Sequence, residues 1–165
     1  MDERAQRARE FAVRAHGDQK YGDEPYAAHL DEVAAILVGI GSELLAEAYL
    51  HDVVEDTKVV VDELTAEFGE RTAMIVDACT GEGKNRRERC ASIVAKLLQL
   101  PEAIPVKLAD RLANMLRSLT DRAKGKMYAS EYPKFRESLY PSSTNCPLWA
   151  DLDAVYAKLQ AQTRT

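Results

Sequence analysis

At 165 residues the chain is long enough for one domain with a sizeable core. Its 46% hydrophobic and 30% charged composition is that of a soluble globular protein, and a net charge of −5 argues against a nucleic-acid binder, whose affinity rests on clustered Lys and Arg. The longest apolar stretch, around Val33 to Ile40, falls far short of the roughly 20 residues that span a bilayer, and Met1-Asp2-Glu3-Arg4 leads into a charged amphipathic helix rather than a signal peptide.

Apolar spacing of helical period runs through the chain. Ala5, Ala8, Phe11, Ala12 and Ala15 predict a first helix ending near Gly17, with His16 at the end where the helix dipole suits an imidazole. Gly17-Asp18 and Gly22-Asp23-Glu24-Pro25 punctuate a loop. Pro25 suits the first turn of a second helix, which carries His29, Val33, Ile36, Leu37 and Ile40 and stops at Gly39 to Gly41. A third helix, about Glu43 to Val54, carries His51 and Asp52 near its C-terminal end. Val59 to Val61 is too short and unpartnered for a strand, and Asp62 reads as the N-cap of a short helix closed by Gly69.

Further helices are predicted over about Arg71 to Cys79 and about Asn85 to Leu100, the latter ended by Pro101. Another begins at Pro105 and carries Lys107, Asp110 and Asn114. Lys126 to Tyr140 reads as helical with an interruption at Pro133. Pro141 to Asn145 is a loop, and Pro147 starts a last helix with Leu148, Leu152, Val155 and Leu159. The expected architecture is an all-α, multi-helix bundle with a metal site between helices, one domain over residues 1–165. Its motif-bearing core runs over about 5–120 and its C-terminal helices over about 121–165.

The run His51-Asp52-Val53-Val54-Glu55-Asp56-Thr57 stands inside otherwise apolar sequence. An imidazole and three carboxylates there are costly to bury without a partner. On a continuous helix His51 lies one turn from Glu55, and Asp52 one turn from Asp56, so all four can face one cation. His29 and Asp110 supply further donors. His29, His51, Asp52 and Asp110 form a nitrogen and oxygen set of borderline softness, suited to Mn, Fe, Zn or Co. A divalent metal so bound polarises a phosphoryl oxygen and acidifies water, as phosphoester hydrolysis requires. Glu55 and Asp56, one turn beyond the ligands, are placed for water activation and proton transfer. Asn114 lies one turn past Asp110 on the same face and is a candidate substrate contact. Lys84-Asn85-Arg86-Arg87-Glu88-Arg89 sets four basic residues at a glycine loop and helix start, a place that favours anions and equally a solvated turn. Gly81-Glu82-Gly83-Lys84 lacks P-loop spacing. Cys79, Cys90 and Cys146 are odd in number and in no CxxC spacing, which points to reduced, structural thiols in a cytoplasm.

The order of these ligands resembles the HD superfamily of metal-dependent phosphohydrolases. Pro25-Tyr26-Ala27-Ala28-His29, His51-Asp52-Val53-Val54-Glu55-Asp56-Thr57 and Lys107-Leu108-Ala109-Asp110-Arg111-Leu112-Ala113-Asn114-Met115 together look like the hydrolase domain of the RelA/SpoT homologues, particularly the small stand-alone alarmone hydrolases. The resemblance covers roughly residues 5–120. It implies removal of the 3′-pyrophosphate from ppGpp or pppGpp, with Mn²⁺ as the expected metal, Glu55 and Asp56 as the catalytic pair, and no accompanying synthetase. It further implies nucleotide contacts at Asn114, at Lys20 in the loop before Pro25, and at an aromatic near Tyr128 and Tyr132, of which Tyr132 is taken as the contact. The pattern departs where the family shows an Arg-Lys pair: this chain has Lys20-Tyr21-Gly22, and Tyr21 could stack on a purine instead. Arg111 is expected to pair with a neighbouring carboxylate rather than with substrate. The expected partner is a small nucleotide, not nucleic acid or membrane, and no sequence signal sets an oligomeric state. Competing readings are the same chemistry on ppApp, the NADPH 2′-phosphate or a nucleoside monophosphate, and a non-catalytic alarmone sensor, against which Glu55 and Asp56 both count.

Overall fold

The computed structural model describes residues 2–163. Helices dominate it: α1 (Glu3–His16), α2 (Tyr26–Leu37), α3 (Leu45–Leu50), α4 (Val53–Asp56), α5 (Val61–Phe68), α6 (Glu70–Cys79), α7 (Arg86–Gln99), α8 (Ile104–Ser118), α9 (Arg122–Leu139) and α10 (Leu148–Thr163). Local chemistry sets several ends. The Asp2 carboxylate accepts from the Ala5 N–H, the Asn85 side chain from Glu88 N–H, and Asp121 from the N–H groups of Ala123 and Lys124, each satisfying donors a helix start leaves free. Gly69 closes α5 at φ 89°, a left-handed conformation that favours glycine. The expected cap at Asp62 is not used; the helix begins two residues earlier than that cap would set it, and Val60 takes the N-cap without a side-chain bond.

Helix α8 organises the rest. It packs against α2, α3, α9 and α10, and its buried residues include Lys107, Leu108, Ala109, Asp110, Arg111 and Leu112. A helix buried on nearly every side needs partners for each charge it carries. Leu30, Leu37, Leu50, Leu108 and Met115 are fully buried at its contacts with α2 and α3, and α10 adds Leu148, Leu152 and Leu159. The C-terminal helices thus share a core with the motif-bearing part.

Three expectations about local structure are corrected. The loop before Pro25 contains a two-residue antiparallel ribbon, β1 (Lys20–Tyr21) and β2 (Glu24–Pro25), turned by Gly22 at φ 64°. The expected third helix breaks at His51-Asp52, where Asp52 adopts φ −105°, ψ −3°. The His51 ring nitrogen takes the Ala48 carbonyl at 2.7 Å, the acceptor an unbroken helix would offer to the Asp52 N–H. The Asp56 N–H still reaches the Asp52 carbonyl at 2.9 Å, so those two residues keep their one-turn relation. Finally, α9 runs through Pro133 without interruption: the proline is exposed, while Tyr132 and Phe135 beside it are buried and hold both halves in place.

Candidate metal centre and active site

Three elements meet at one cluster. His29 comes from α2, His51 and Asp52 from the α3–α4 break, and Asp110 from α8. One donor atom from each lies within 4.8 Å of all the others. His29 Nε2 stands 3.3 Å from Asp110 Oδ1 and 3.6 Å from Asp52 Oδ2. His51 Nε2 stands 3.0 Å from Asp52 Oδ2 and 3.6 Å from Asp110 Oδ1. With its Nδ1–H donated to the Ala48 carbonyl, neutral His51 turns the Nε2 lone pair toward two carboxylates. That buried Nε2 has no hydrogen-bond partner among the described residues. Lone pairs and anions converging out of water repel one another, and a shared cation removes the repulsion. The donor set therefore fits a divalent metal.

The electrostatics without an ion lead to the same place. Burial works to keep His29 and His51 neutral. The carboxylates of Asp110 and Asp52 outweigh it, raising His29 and taking His51 up to about 10. Burial opposes ionisation of Asp52 and Asp110 too, yet His51 and His29 hold Asp52 well below the carboxylate range, and Lys107 with both imidazoles does so for Asp110. The cluster demands positive charge, which protons supply when no metal does.

Neighbouring groups fix these donors. Lys107 Nζ lies 2.8 Å from Asp110 Oδ2, so the other oxygen faces the cluster. Asn114 donates from Nδ2 to Asp110 Oδ1 at 2.5 Å and to the Asp110 carbonyl at 3.0 Å. The Tyr26 hydroxyl lies 2.7 Å from both Asp52 Oδ2 and Asp56 Oδ2, and its single proton serves one at a time. Glu55 is half-exposed: its Oε2 accepts from the Gly81 N–H at 2.9 Å and its Oε1 is 4.0 Å from Arg89 Nε. Gly81 can approach this closely because it lacks a side chain, since a Cβ there would sit 2.8 Å from that of Arg89.

The cluster opens into a cavity of about 180 Å³. Asp52, Glu55, Asp56 and Asp110 line one part, and Arg86, Arg89, Lys107 and Arg111 supply positive charge around it. Arg86 and Arg111 share Glu131 at 2.6–3.1 Å and both lie against the Tyr128 ring, so a carboxylate and an aromatic hold two guanidiniums at the wall. The expected pairing of Arg111 with a carboxylate is thus met by Glu131.

Of the residues singled out from sequence, His29, Asp52, Glu55, Asp56, Asp110, Asn114 and Tyr21 line the cavity, and His51 is buried beneath it. Two do not. Lys20 is exposed and off the walls: successive strand residues face opposite sides, so Tyr21 turned inward sends Lys20 outward. Tyr132 is 1% exposed, its hydroxyl donating to Asp153 at 2.6 Å and its ring packed on Tyr156; Tyr128, one turn earlier, is the aromatic at the wall. His16 stays outside the cavity, stacked on Tyr26 at 4.1 Å. Lys107 and Tyr26 went unassigned in the sequence although both stand in the quoted strings, each three residues before a ligand and hence on its helix face. The three cysteines are free, and burial pushes the Cys79 thiol up to about 12.

Fold and site together define an all-α protein with a donor cluster that fits a divalent metal, gathered from α2, the α3–α4 break and α8. The family model described as HD domain matches residues 8–134, and the chain belongs to that family. A guanosine-3′,5′-bis(diphosphate) 3′-pyrophosphohydrolase of Aquifex aeolicus is 38% identical over 121 residues, covering 68% of this chain and 17% of that protein. A probable GTP pyrophosphokinase of Mycobacterium leprae is 34% identical over 123 residues, 67% of this chain and 15% of its own length. The chain thus spans about one sixth of the curated relatives it matches. Among solved structures, one described as a metazoan ortholog of SpoT that hydrolyzes ppGpp and plays a role in starvation responses superposes with a TM-score of 0.77 at 23% identity, covering 96% of each chain. That likeness extends the shared fold through the C-terminal helices.

Proposed function

We propose that this chain is a metal-dependent phosphohydrolase that removes the 3′-pyrophosphate of guanosine alarmones, converting ppGpp to GDP and pppGpp to GTP with release of pyrophosphate. The observation that carries it is the placement of Glu55 and Asp56 on the cavity beside the His29, His51, Asp52 and Asp110 cluster, in a chain of the HD family whose relatives include named alarmone 3′-pyrophosphohydrolases. Mn²⁺ is the proposed ion. When bound, a divalent ion supplies Lewis-acid polarisation of a phosphoryl oxygen and acidification of water.

The chain's own residues supply the rest. Glu55, reached by solvent and held by the Gly81 N–H, accepts the proton of the attacking water as its oxygen bonds to phosphorus. The ester bond from that phosphorus to the ribose 3′ oxygen breaks, and that oxygen takes up a proton. Asp56, hydrogen-bonded to Tyr26 like Asp52, is the second carboxylate in the proton exchange. Asn114 orients Asp110 and presents its edge to the sugar. Arg86 and Arg89 meet phosphate charge at the wall, while Arg111 stays paired with Glu131.

The cavity is smaller than the roughly 300–1,000 Å³ of sites that enclose a whole drug-sized ligand. It takes the reacting diphosphate and leaves the base near the mouth. With Lys20 turned outward, the ribbon offers the base no cation from that position, which favours a second reading in which adenine alarmones are cleaved by the same chemistry. Residues 1–165 act as one domain in this account, on a small nucleotide in the cytoplasm. No described helix is long and apolar enough to cross a membrane. The test is turnover of a panel of ppGpp, pppGpp, ppApp, NADPH and nucleoside monophosphates with added Mn²⁺, resolved by product. Release of pyrophosphate from ppGpp supports the proposal, and orthophosphate from NADPH or a monophosphate alone replaces it.

A further inference from the structure

A metal-binding imidazole is ordinarily oriented by a hydrogen bond to its other ring nitrogen. His51 has that bond, to the Ala48 carbonyl. His29 does not: its Nδ1 is buried and has no hydrogen-bond partner among the described residues. What lies against the His29 ring instead is Tyr21, stacked in parallel at 4.4 Å and 10° between planes, with Tyr26 meeting it edge-on at 5.8 Å.

Tyr21 is itself fixed. Its guanidinium neighbour Arg117, from α8, donates to Glu32 at 2.9–3.1 Å and to Glu24 at 2.6 Å, and places its Cζ 4.8 Å from the Tyr21 ring centroid. One side chain thereby ties the ribbon and α2 to α8. The Tyr21 hydroxyl donates to Asn114 Oδ1. An ionised Asp110 can only accept, so Asn114 must turn Nδ2 to it and Oδ1 to Tyr21; the two bonds fix the amide without ambiguity.

We infer that Tyr21 is a positioning residue for this centre rather than a base-stacking one. Its ring does for His29 what the Ala48 carbonyl does for His51, and its hydroxyl sets Asn114 and through it Asp110. The consequence for catalysis rests on the proposed alarmone hydrolysis; the consequence for metal binding does not.

Two substitutions separate the two contacts in the full chain. Tyr21→Phe keeps the ring and deletes the hydroxyl. Tyr21→Leu removes both. Mn²⁺ affinity of chelator-treated protein is measured by titration calorimetry, and kcat and KM are measured on ppGpp and ppApp. Loss of an outer partner of a metal ligand typically costs about 10- to 100-fold in metal affinity or activity. Tyr21→Leu is therefore expected to weaken Mn²⁺ binding by about tenfold or more. Tyr21→Phe is expected to keep Mn²⁺ affinity within about threefold and to lower kcat about tenfold on both alarmones, with KM held. A silent Tyr21→Phe, together with a Tyr21→Leu that raises KM and leaves Mn²⁺ affinity intact, would overturn the inference and return Tyr21 to the base. Weakened Mn²⁺ binding in Tyr21→Leu with no alarmone turnover by the unsubstituted protein supports the positioning role and removes the alarmone reading instead.

Discussion

Lys107→Met is the substitution whose effect the structure defines most fully. Lys107 is 8% exposed and Asp110 6%, and the Lys107 ammonium sits 2.8 Å from Asp110 Oδ2. Removing one partner of a buried ion pair typically costs about 3–5 kcal/mol, because the other charge is left uncompensated. The raised imidazoles of His29 and His51 share that compensation, which puts the metal-free cost at the low end, about 3 kcal/mol. In a chain of this length each kcal/mol moves the melting temperature by about 2–4 °C, so a fall of about 6–12 °C is expected in EDTA. Methionine matches the aliphatic stem, so lost packing adds little. With saturating Mn²⁺ a divalent charge stands beside Asp110 and replaces part of what was lost, and the fall should shrink to about half, roughly 3–6 °C. Calorimetric melts of both proteins at pH 7, with and without Mn²⁺, measure this. A metal-free fall under about 2 °C, or one that Mn²⁺ leaves unchanged, would refute the charge accounting for the cluster.

Glu55→Gln should retain Mn²⁺ and substrate binding while turnover drops by about 10²-fold or more, the scale of losing a general base; loss of the metal would make Glu55 a ligand. The pH dependence follows from the shifts at the cluster. His29 and His51 are raised above their unfolded value of about 6.5, so their contribution to metal-free stability is complete below that pH and is lost as pH rises, toward about 10 for His51. Asp52 and Asp110 are lowered, so theirs is present above about 4 and lost in stronger acid. Metal must displace the imidazole protons, so the rise in melting temperature caused by Mn²⁺ should grow from pH 6 to pH 8.5; a constant rise would argue against these ligands. With Lys20 outside the cavity and Tyr21 engaged by His29 and Asn114, kcat/KM for ppApp and ppGpp should agree within about tenfold, a difference of about 1.4 kcal/mol. A hundredfold preference for ppGpp would reveal a base-recognition group not yet assigned.

The helical architecture was legible because periodicity and caps act over a few residues. Gly69, Asn85 and the apolar faces around Leu30 and Leu108 mark their elements wherever they occur. The gathering of His29, His51, Asp52 and Asp110 was legible from ligand chemistry and order along the chain. What escaped depends on tertiary contacts. The break at His51 needs the ring to reach the Ala48 carbonyl, and the ribbon at Tyr21 needs Arg117, which lies far along the chain. Tyr128 and Tyr132 share a helix face one turn apart, and only the packing of α9 decides that the first reaches the cavity while the second reaches Asp153. Pro133 misled because a propensity rule met packing strong enough to override it.

The central claim is that His29, His51, Asp52 and Asp110 hold an ion on which alarmone hydrolysis at Glu55 depends. Chelator-stripped protein should leave ppGpp intact, and stoichiometric Mn²⁺ should restore its conversion to GDP and pyrophosphate in equal amounts. Undiminished turnover after exhaustive chelation, or orthophosphate as the released product, would contradict it.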